Sequence, residues 1–293
     1  MEIKVSLGVL HITLLIAQAA VPSTDIYIAD LRVERGRVRV GTPVNVTARA
    51  GYDNQPCFLA DGRAFLYTSI RDDGQADVYR YDLRASTSAR VTATPESEYS
   101  PTPLPRGKGF SAVRVEADST QRLWAFNAEG ARPRLVLQAI KPVGYHAWGD
   151  EYTVGVFVLG TPPTLQLVDA RTGEARVVAR DIGRSILRVP RRTAISYVQR
   201  DSAGGRGPWV KKVDVRTRVV TPLVRALDGG EFLAWTPGGI LLTASGSKLY
   251  QWDPRRGPEW EEIADFAAAG LTSVSRLAVS PRGDRLAIVA VPK

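Results

Sequence analysis

The chain has 293 residues, 44% of them hydrophobic and 24% charged, which is enough to bury a large core. Its single cysteine, Cys57, excludes a disulfide within the chain. The formal net charge is +9, and 32 of the 39 basic residues are arginines spread along the sequence. Proteins that bind nucleic acid normally cluster such residues on one face, so we expect no nucleic-acid partner. The net charge is explained by an arginine-rich composition, and an anionic partner such as lipid headgroups or an acidic glycan is the alternative.

The first 19 residues have the pattern of a signal peptide. Lys4 precedes an apolar run of 12 residues, 5–16, which is too short to span a bilayer, and residues 17–19 form a small-x-small triplet that suits a signal peptidase. A buried first strand is the alternative. Cleavage would leave residues 20–293 as an exported protein, either periplasmic or secreted. No later segment approaches 18 apolar residues, so we expect no transmembrane segment in the mature chain.

Six short apolar segments each end in aspartate or asparagine, at residues 26–30, 78–82, 123–127, 165–169, 210–214 and 249–253. Such a residue can bond its side chain to the backbone two residues on and so start a tight turn after a strand. A second set of strand signals lies at residues 64–68, 110–115, 153–158, 194–198, 240–243 and 286–291. The first set begins near the N-terminus, at residues 26–30, and the second set ends near the C-terminus, at residues 286–291. One repeat is therefore divided between the two ends of the sequence. A repeat divided between the termini indicates a closed ring of sheets.

The first strands of these units align without gaps. They start at residues 53, 98, 143, 183, 230 and 274, which are 45, 45, 40, 47 and 44 residues apart. The last unit has only 20 residues, 274–293, and residues 24–52 complete it. We therefore predict an all-β fold, a six-bladed β-propeller of four-stranded antiparallel blades whose last blade is closed by strands from both termini. A linear β-solenoid would not need the divided repeat. Residues 265–270 are the only helix candidate.

Residues 55–69 and 71–79 carry a family resemblance. They resemble the repeat of TolB-like six-bladed propellers, which runs Pro-x-Trp-Ser-Pro-Asp-Gly, then an apolar strand, then Asp-Gly-x-x-Asp-Ile-Tyr. Parts of it recur at residues 235–239 and 280–283, and it is weakest in the third and fourth units. The resemblance implies an exported bacterial propeller that is used for binding. TolB has an additional N-terminal α/β domain, and we expect no counterpart here because strand signal begins at Asp25.

Few residues are suited to catalysis. The mature chain has one histidine, His146, because His11 lies in the predicted signal peptide, and it has no Gly-x-Ser-x-Gly motif. A zinc site usually needs several histidines or cysteines, so we expect no metal centre and no cofactor. Two carboxylates, Glu98 and Glu231, fall at neighbouring repeat positions and could form the acid/base pair of a glycosidase. Residues 72–77 could bind calcium, but an Asp-Gly turn between strands explains them better.

The ligand site is predicted from the loops that lead from the outer strand of one blade to the first strand of the next. In propellers these loops line one mouth of the central channel, and here they hold three successive ring positions. The chosen residues are polar and differ around the ring, as an asymmetric ligand requires. The predicted site residues are Asn54, Glu98, Tyr99, Tyr145, His146, Arg184, Glu231 and Arg276. The alternative is that they satisfy one another around a water-filled channel, with His146 as a hydrogen-bonded structural residue.

Three functions fit the sequence. The first is an exported, non-catalytic propeller, a monomer, that docks a protein or peptide segment of the cell envelope, or a small ligand, at its central funnel. The second is a hydrolase or lactonase that acts on a sugar or lactone with carboxylates or calcium. The third is a purely architectural part of an envelope complex.

The signal-peptide prediction has a direct test. Expression of the full chain in a bacterial host should give a periplasmic or secreted protein whose N-terminal residue is Ala20, as determined by N-terminal sequencing. A cytoplasmic protein that retains Met1 would show that residues 1–19 are not a cleaved signal.

Overall fold

A computed structural model of the protein describes residues 22–105, 109–200 and 207–292. The predicted signal peptide, residues 1–19, lies outside these ranges. The described part is all-β apart from one 3-10 helix, Ala267–Ala269, which falls within the only helix candidate of the sequence. None of the described helices is long and apolar enough to cross a membrane.

The strands form six antiparallel sheets. The N-terminal strands are β1 (Asp25–Glu34), β2 (Arg37–Val40) and β3 (Val44–Asn45). Blade 1 consists of β4 (Tyr52–Phe58), β5 (Ala64–Ile70), β6 (Ala76–Asp82) and β7 (Thr87–Arg90). Blade 2 consists of β8 (Ser97–Pro103), β9 (Phe110–Val115), β10 (Gln121–Phe126) and β11 (Arg134–Leu135). Blade 3 consists of β12 (Val143–Trp148), β13 (Thr153–Val158), β14 (Thr164–Asp169) and β15 (Ala175–Arg180).

Blade 4 consists of β16 (Ile182–Arg188), β17 (Ala194–Gln199), β18 (Trp209–Asp214) and β19 (Val220–Arg225). Blade 5 consists of β20 (Leu233–Trp235), β21 (Leu241–Ser245), β22 (Lys248–Trp252) and β23 (Glu261–Asp265). Blade 6 combines β24 (Val274–Val279) and β25 (Arg285–Ala290) with the N-terminal strands. The first strands β4, β8, β12, β16, β20 and β24 each contact the first strands of both neighbouring blades, which closes the ring. The predicted six-bladed propeller is confirmed.

Blade 6 is closed by a ladder between the two ends of the described chain. Strand β1 pairs with β25 over six residues, from Asp25 opposite Ala290 to Asp30 opposite Arg285. The sequence predicted that this strand ends in a turn at Asp30, which is wrong. It continues to Glu34 and pairs with β2 through a tight turn. Strand β3 also pairs with β1, so this blade has five strands.

The turn after the other third strands follows the predicted Asx chemistry in four of five blades. The Oδ1 atoms of Asp82, Asp169, Asp214 and Asp253 each accept a hydrogen bond from the backbone N–H two residues on, at 2.8–3.0 Å. In blade 2, Asn127 accepts instead from the N–H of Ala131, at 2.7 Å. These aspartates and the asparagine are therefore turn-forming residues, as their position at strand ends predicts.

Apolar side chains pack between adjacent blades and make the core. Where blade 6 meets blade 1, Ile26 from β1 and Val289 from β25 pack against the aromatic residues of β4, β5 and β6 in one buried cluster. Phe65 and Tyr81 stack within it, with their ring centroids 5.2 Å apart. Neither Ile26 nor Phe65 exposes any surface. Burial of this contact holds the closing blade against the first blade.

The Ile26→Ala variant should lose about 2–5 kcal/mol of unfolding free energy, because the substitution leaves a cavity between blades 6 and 1. The matched control is Val33→Ala in the same strand, whose side chain is 46% exposed, and it should change the unfolding free energy by less than about 0.5 kcal/mol. Urea denaturation measures both. Equal losses would show that this contact does not close the ring.

Candidate functional site

Most first strands have a β-bulge beside the side chains that face the channel. The register of the first and second strands shifts in five blades, in strands β4, β8, β12, β16 and β24. Within two of these bulges Gln55 and Ser100 have left-handed backbone angles, with φ of 59° and 55°. Bulges re-aim side chains. The third of the three aligned ring positions, two residues after the start of each aligned first strand, lines the channel in these five blades and also in blade 5, whose first two strands pair without a register shift. Its residues are Gln55, Ser100, Tyr145, Ser185, Phe232 and Arg276.

The channel contains a cavity of about 130 Å³ that all six blades line. A second cavity of about 180 Å³ lies between blades 4, 5 and 6 and shares Arg184, Phe232 and Arg276 with the first. Ligand pockets for drug-sized molecules usually enclose about 300–1,000 Å³, so neither cavity alone can take a long ligand inside the ring. A peptide or protein partner would be held at the mouth.

Two opposite blades are joined across the mouth. The guanidinium of Arg276, from blade 6, donates a hydrogen bond of 2.9 Å to the hydroxyl of Tyr145, from blade 3. The same guanidinium carbon lies 3.8 Å from the ring centroid of Phe232, from blade 5, in a cation–π contact. No carboxylate of a described residue lies within ion-pair distance of Arg276. Its guanidinium is therefore held in place by aromatic groups without a direct ion pair, and Glu231 acts on its charge only at longer range.

A second arginine at the mouth is neutralised by a carboxylate. Arg184, from blade 4, forms a two-pronged pair with Glu231, from blade 5, with Nε–Oε1 and NH2–Oε2 distances of 2.9 and 2.6 Å. Arg200 adds a longer contact to Glu231, at 3.3 Å. The bond from Arg184 holds the pKa of Glu231 below its usual range. Tyr145, Arg184, Glu231, Phe232 and Arg276 are called the mouth cluster below.

The mouth cluster carries excess positive charge. Together with Arg200 it contains three guanidinium groups and one carboxylate. The nearby Tyr52 hydroxyl stays protonated, since burial raises its pKa to about 12. The cluster can therefore offer charge-assisted hydrogen bonds and aromatic surface to an anionic group.

His146 lies deeper, on the wall of the channel cavity. Its Nε2 is hydrogen-bonded to the Ser111 hydroxyl at 2.7 Å, and that hydroxyl also accepts from Trp148 Nε1 at 3.0 Å. Burial lowers the pKa of His146 to about 3, so the ring is neutral at physiological pH. Its Nδ1 and the Ser100 hydroxyl are buried polar atoms that have no partner among the described residues, and both residues line the cavity. Unpaired polar atoms of this kind usually bind water or a ligand.

Glu98 does not join the mouth cluster. Its side chain is fully buried and accepts hydrogen bonds from Arg114 Nε at 3.1 Å and the Thr94 hydroxyl at 2.5 Å. Burial raises the pKa of Glu98, and the bond from Thr94 opposes the shift. Asp53, at the same ring position in blade 1, is also buried and accepts from Ser69 and Arg49. Both residues precede the bulge of their strand and pair regularly with the second strand, Asp53 opposite Ser69 and Glu98 opposite Arg114, so their carboxylates lie beside these partners and not in the channel lining.

Two more predicted site residues lie outside the channel lining. Asn54 is buried and donates a hydrogen bond of 3.3 Å to the hydroxyl of Thr24, which ties the N-terminal segment to β4. Tyr99 packs against the apolar cluster of blades 2 and 3. The structure thus brings together Tyr145, Arg184, Glu231 and Arg276, with His146 below them.

Of the aspartates of residues 72–77, Asp72 and Asp73 lie in a turn, whereas Asp77 lies in strand β6. The N–H of Gly74 donates to the carbonyl of Arg71 at 2.8 Å between β5 and β6, as the turn interpretation predicts. Asp77 is buried and paired with Arg90 at 2.5 Å, and Asp73 lies 3.5 Å from the same arginine. Across the described ranges, no three histidine, cysteine, aspartate or glutamate side chains converge on a point where they could hold a metal ion.

Sequence reasoning did not select Phe232, Arg200 or Tyr52 as site residues. Phe232 shares its ring position with Tyr145 and Arg276, so the alignment alone could have identified it. Arg200 follows the second strand of blade 4 and reaches the mouth only through its long side chain, for which the sequence carries no signal. Tyr52 begins the first strand of blade 1, one residue before the aligned positions.

No protein-family model matches this sequence, and no curated protein sequence is significantly similar to it. Solved structures do share the fold. A putative TolB from Agrobacterium tumefaciens superposes with a TM-score of 0.71 and 17% identity, over 92% of this chain and 99% of that one. A gluconolactonase from Xanthomonas campestris superposes with a TM-score of 0.63 and 10% identity, over 94% and 99% of the two chains.

TolB from Acinetobacter baumannii superposes with a TM-score of 0.58 and 15% identity, over 90% of this chain and 63% of the longer TolB chain. Identities this low define architecture and not function, since one propeller fold supports unrelated activities. This protein therefore has the TolB-like six-bladed propeller fold, which it shares with a lactonase as well as with TolB proteins.

Proposed function

We propose that the protein is an exported, non-catalytic binding propeller that captures a peptide segment of an envelope protein at the mouth of its channel. The observation that carries the proposal is the Arg276 guanidinium, which is held across the mouth by Tyr145 and Phe232 and has no carboxylate partner among the described residues. A cation fixed in this way is preorganised for an anionic group. A side-chain or C-terminal carboxylate of a peptide is the group that fits.

The surroundings of Arg276 suit a peptide. Phe232 and Tyr145 offer aromatic surface beside the charge, and such residues often anchor protein interfaces. The Arg184–Glu231 pair provides both charge-assisted donors and an acceptor at the same rim. Because these groups come from blades 3 to 6 only, the mouth is asymmetric and can fix the direction of a bound segment.

The alternative, a hydrolase or lactonase, requires carboxylates that are free to transfer protons or bind calcium. Glu98 is buried against Arg114, and Glu231 is paired with two arginines that hold its pKa low. A general acid needs a raised pKa and access to its substrate, which neither carboxylate combines. These contacts favour binding over hydrolysis.

Export is supported by the signal-peptide pattern of residues 1–19.

The Arg276→Gln variant should bind carboxylate-bearing peptides about 10- to 100-fold more weakly than the wild type, because it loses a charge-assisted hydrogen bond of about 1.5–3 kcal/mol. Decapeptides with free C-termini, selected on the wild-type protein from a displayed random library, supply the ligands, and calorimetry measures the dissociation constants. The control is Arg39→Gln, which removes an exposed arginine from β2. Equal affinity of both variants, or failure of the wild type to select any peptide, would contradict the proposal.

Calcium should leave the melting midpoint of the protein unchanged, because the described carboxylates form no cluster that could bind the ion. A bound ion stabilises the folded state by mass action, so thermal melts with millimolar calcium and with a chelator are a sensitive comparison. A midpoint that rises with calcium concentration would instead favour the calcium-dependent hydrolase.

A further inference from the structure

A third cavity lies on the face opposite the channel mouth. It has a volume of about 540 Å³ and lies between the turns that follow the first strands of blades 4 and 5. We call it the blade 4–5 cleft. The residues used here to describe it are Arg191, Arg192, Lys212, Trp235, Trp252 and Arg255.

The floor of the cleft is apolar. Trp235 and Trp252 meet edge to face, with centroids 6.5 Å apart and an angle of 65° between the rings. The indole N–H of Trp235 donates to the Ser196 hydroxyl of blade 4 at 2.9 Å, and that of Trp252 donates to the carbonyl of Gly257 at 3.0 Å. Both N–H groups are therefore satisfied inside the protein, so the partly exposed Trp235 presents its ring carbons to the cleft.

The rim of the cleft is cationic. Only Arg255 has a carboxylate partner, since it forms two 2.8 Å hydrogen bonds with Asp253. Arg191, Arg192 and Lys212 form no ion pair with a described residue, and no aspartate or glutamate lines the cleft. Three unneutralised positive charges thus surround an apolar floor.

The turn that carries two of these charges differs in conformation from the corresponding turns of three other blades. Blades 1, 5 and 6 have glycine at the left-handed position of this turn, with φ of 65° at Gly62, 87° at Gly239 and 72° at Gly283. In blade 4 the position of that glycine is occupied by Arg192, whose N–H donates to the carbonyl of Val189, and the left-handed residue is Arg191, one position earlier, with φ of 58°. That conformation is less favourable for arginine than for glycine. Arg35, Arg132 and Arg218 adopt the same conformation in other turns, so the backbone angle does not distinguish this turn. What distinguishes it is the pair of arginines that it places on the rim of the cleft without an ion-pair partner among the described residues.

We propose that the blade 4–5 cleft binds an acidic peptide segment of a partner protein. Its carboxylates would pair with Arg191, Arg192 and Lys212, and one apolar side chain would pack against Trp235. The volume suits a few residues of peptide. Three cations on one rim are too few for a nucleic-acid track, and Trp252 is only 4% exposed, so the floor has no room for stacked bases or acyl chains. The cleft is separate from the mouth, so one protein could hold two segments at once.

The test uses synthetic, fluorescently labelled decapeptides that vary in the number of glutamates and in the presence of one leucine, with fluorescence anisotropy and tryptophan emission as readouts. Peptides with both glutamates and leucine should bind the wild type at least about tenfold more tightly than versions with glutamine in place of glutamate. The Arg191→Gly/Arg192→Gln variant should lose at least that factor. Its melting midpoint should stay the same or rise, because glycine suits the left-handed position.

The matched control is Arg216→Gln/Arg218→Gly. It removes two exposed arginines from the neighbouring turn of blade 4, one of them also left-handed with φ of 63°. The control should bind like the wild type, and the Arg276→Gln variant should do so as well, since Arg276 lies at the other face. Acidic peptides that bind no better than neutral ones, or an equal loss in the control, would overturn the proposal. So would preferential binding of a heparin fragment or of phosphatidylglycerol vesicles that the Arg191→Gly/Arg192→Gln variant abolishes.

Discussion

The pairing of β1 with β25 is the constraint on which the other features depend. It joins residues from opposite ends of the described chain in one sheet and gives blade 6 its third and outer strands. It also places Ile26 where it packs against the aromatic cluster of blade 1, so backbone pairing and apolar burial close the same contact. Residues from opposite blades, such as Tyr145 and Arg276, can meet across a channel only when the ring around it is closed.

Much of the architecture follows from local chemistry, which a sequence displays directly. The aspartates that end the third strands start their turns through their own side chains, so their spacing predicts blade boundaries. The sequence does not predict the extension of β1 beyond Asp30, because the hairpin turn contains Arg35, a non-glycine residue with φ of 50°, beside Gly36.

The side chains of the candidate site are harder to predict from the sequence. A bulge depends on how two strands pair, and one shifted residue reverses which side chains face the channel. Glu98 precedes the bulge of blade 2 and lies buried beside Arg114, whereas Phe232 lines the channel in blade 5, whose first two strands pair without a register shift.

Positive charge is available on the surface of the molecule where an arginine has no carboxylate partner. The arginines are spread through the sequence, and many are neutralised locally, as Arg184 is by Glu231 and Arg255 by Asp253. At the mouth Arg276, held against Phe232, has no such partner, and in the blade 4–5 cleft neither Arg191 nor Arg192 has one among the described residues. A weakly hydrated guanidinium held against an aromatic ring keeps its donors available for an anion. Composition alone does not reveal these places, because pairing is a property of the folded chain.

Photocrosslinking tests most directly the claim that the mouth is the binding surface. The residue to change is Phe232, because it lines the channel beside Arg276 and benzoylphenylalanine resembles its side chain. Irradiation of cells that export this variant should yield a discrete protein adduct, whereas benzoylphenylalanine at the exposed position Val44 should yield none. Mapping of the adduct should identify a segment that contains a carboxylate. Absence of an adduct at position 232, or the same adducts from both positions, would contradict the account.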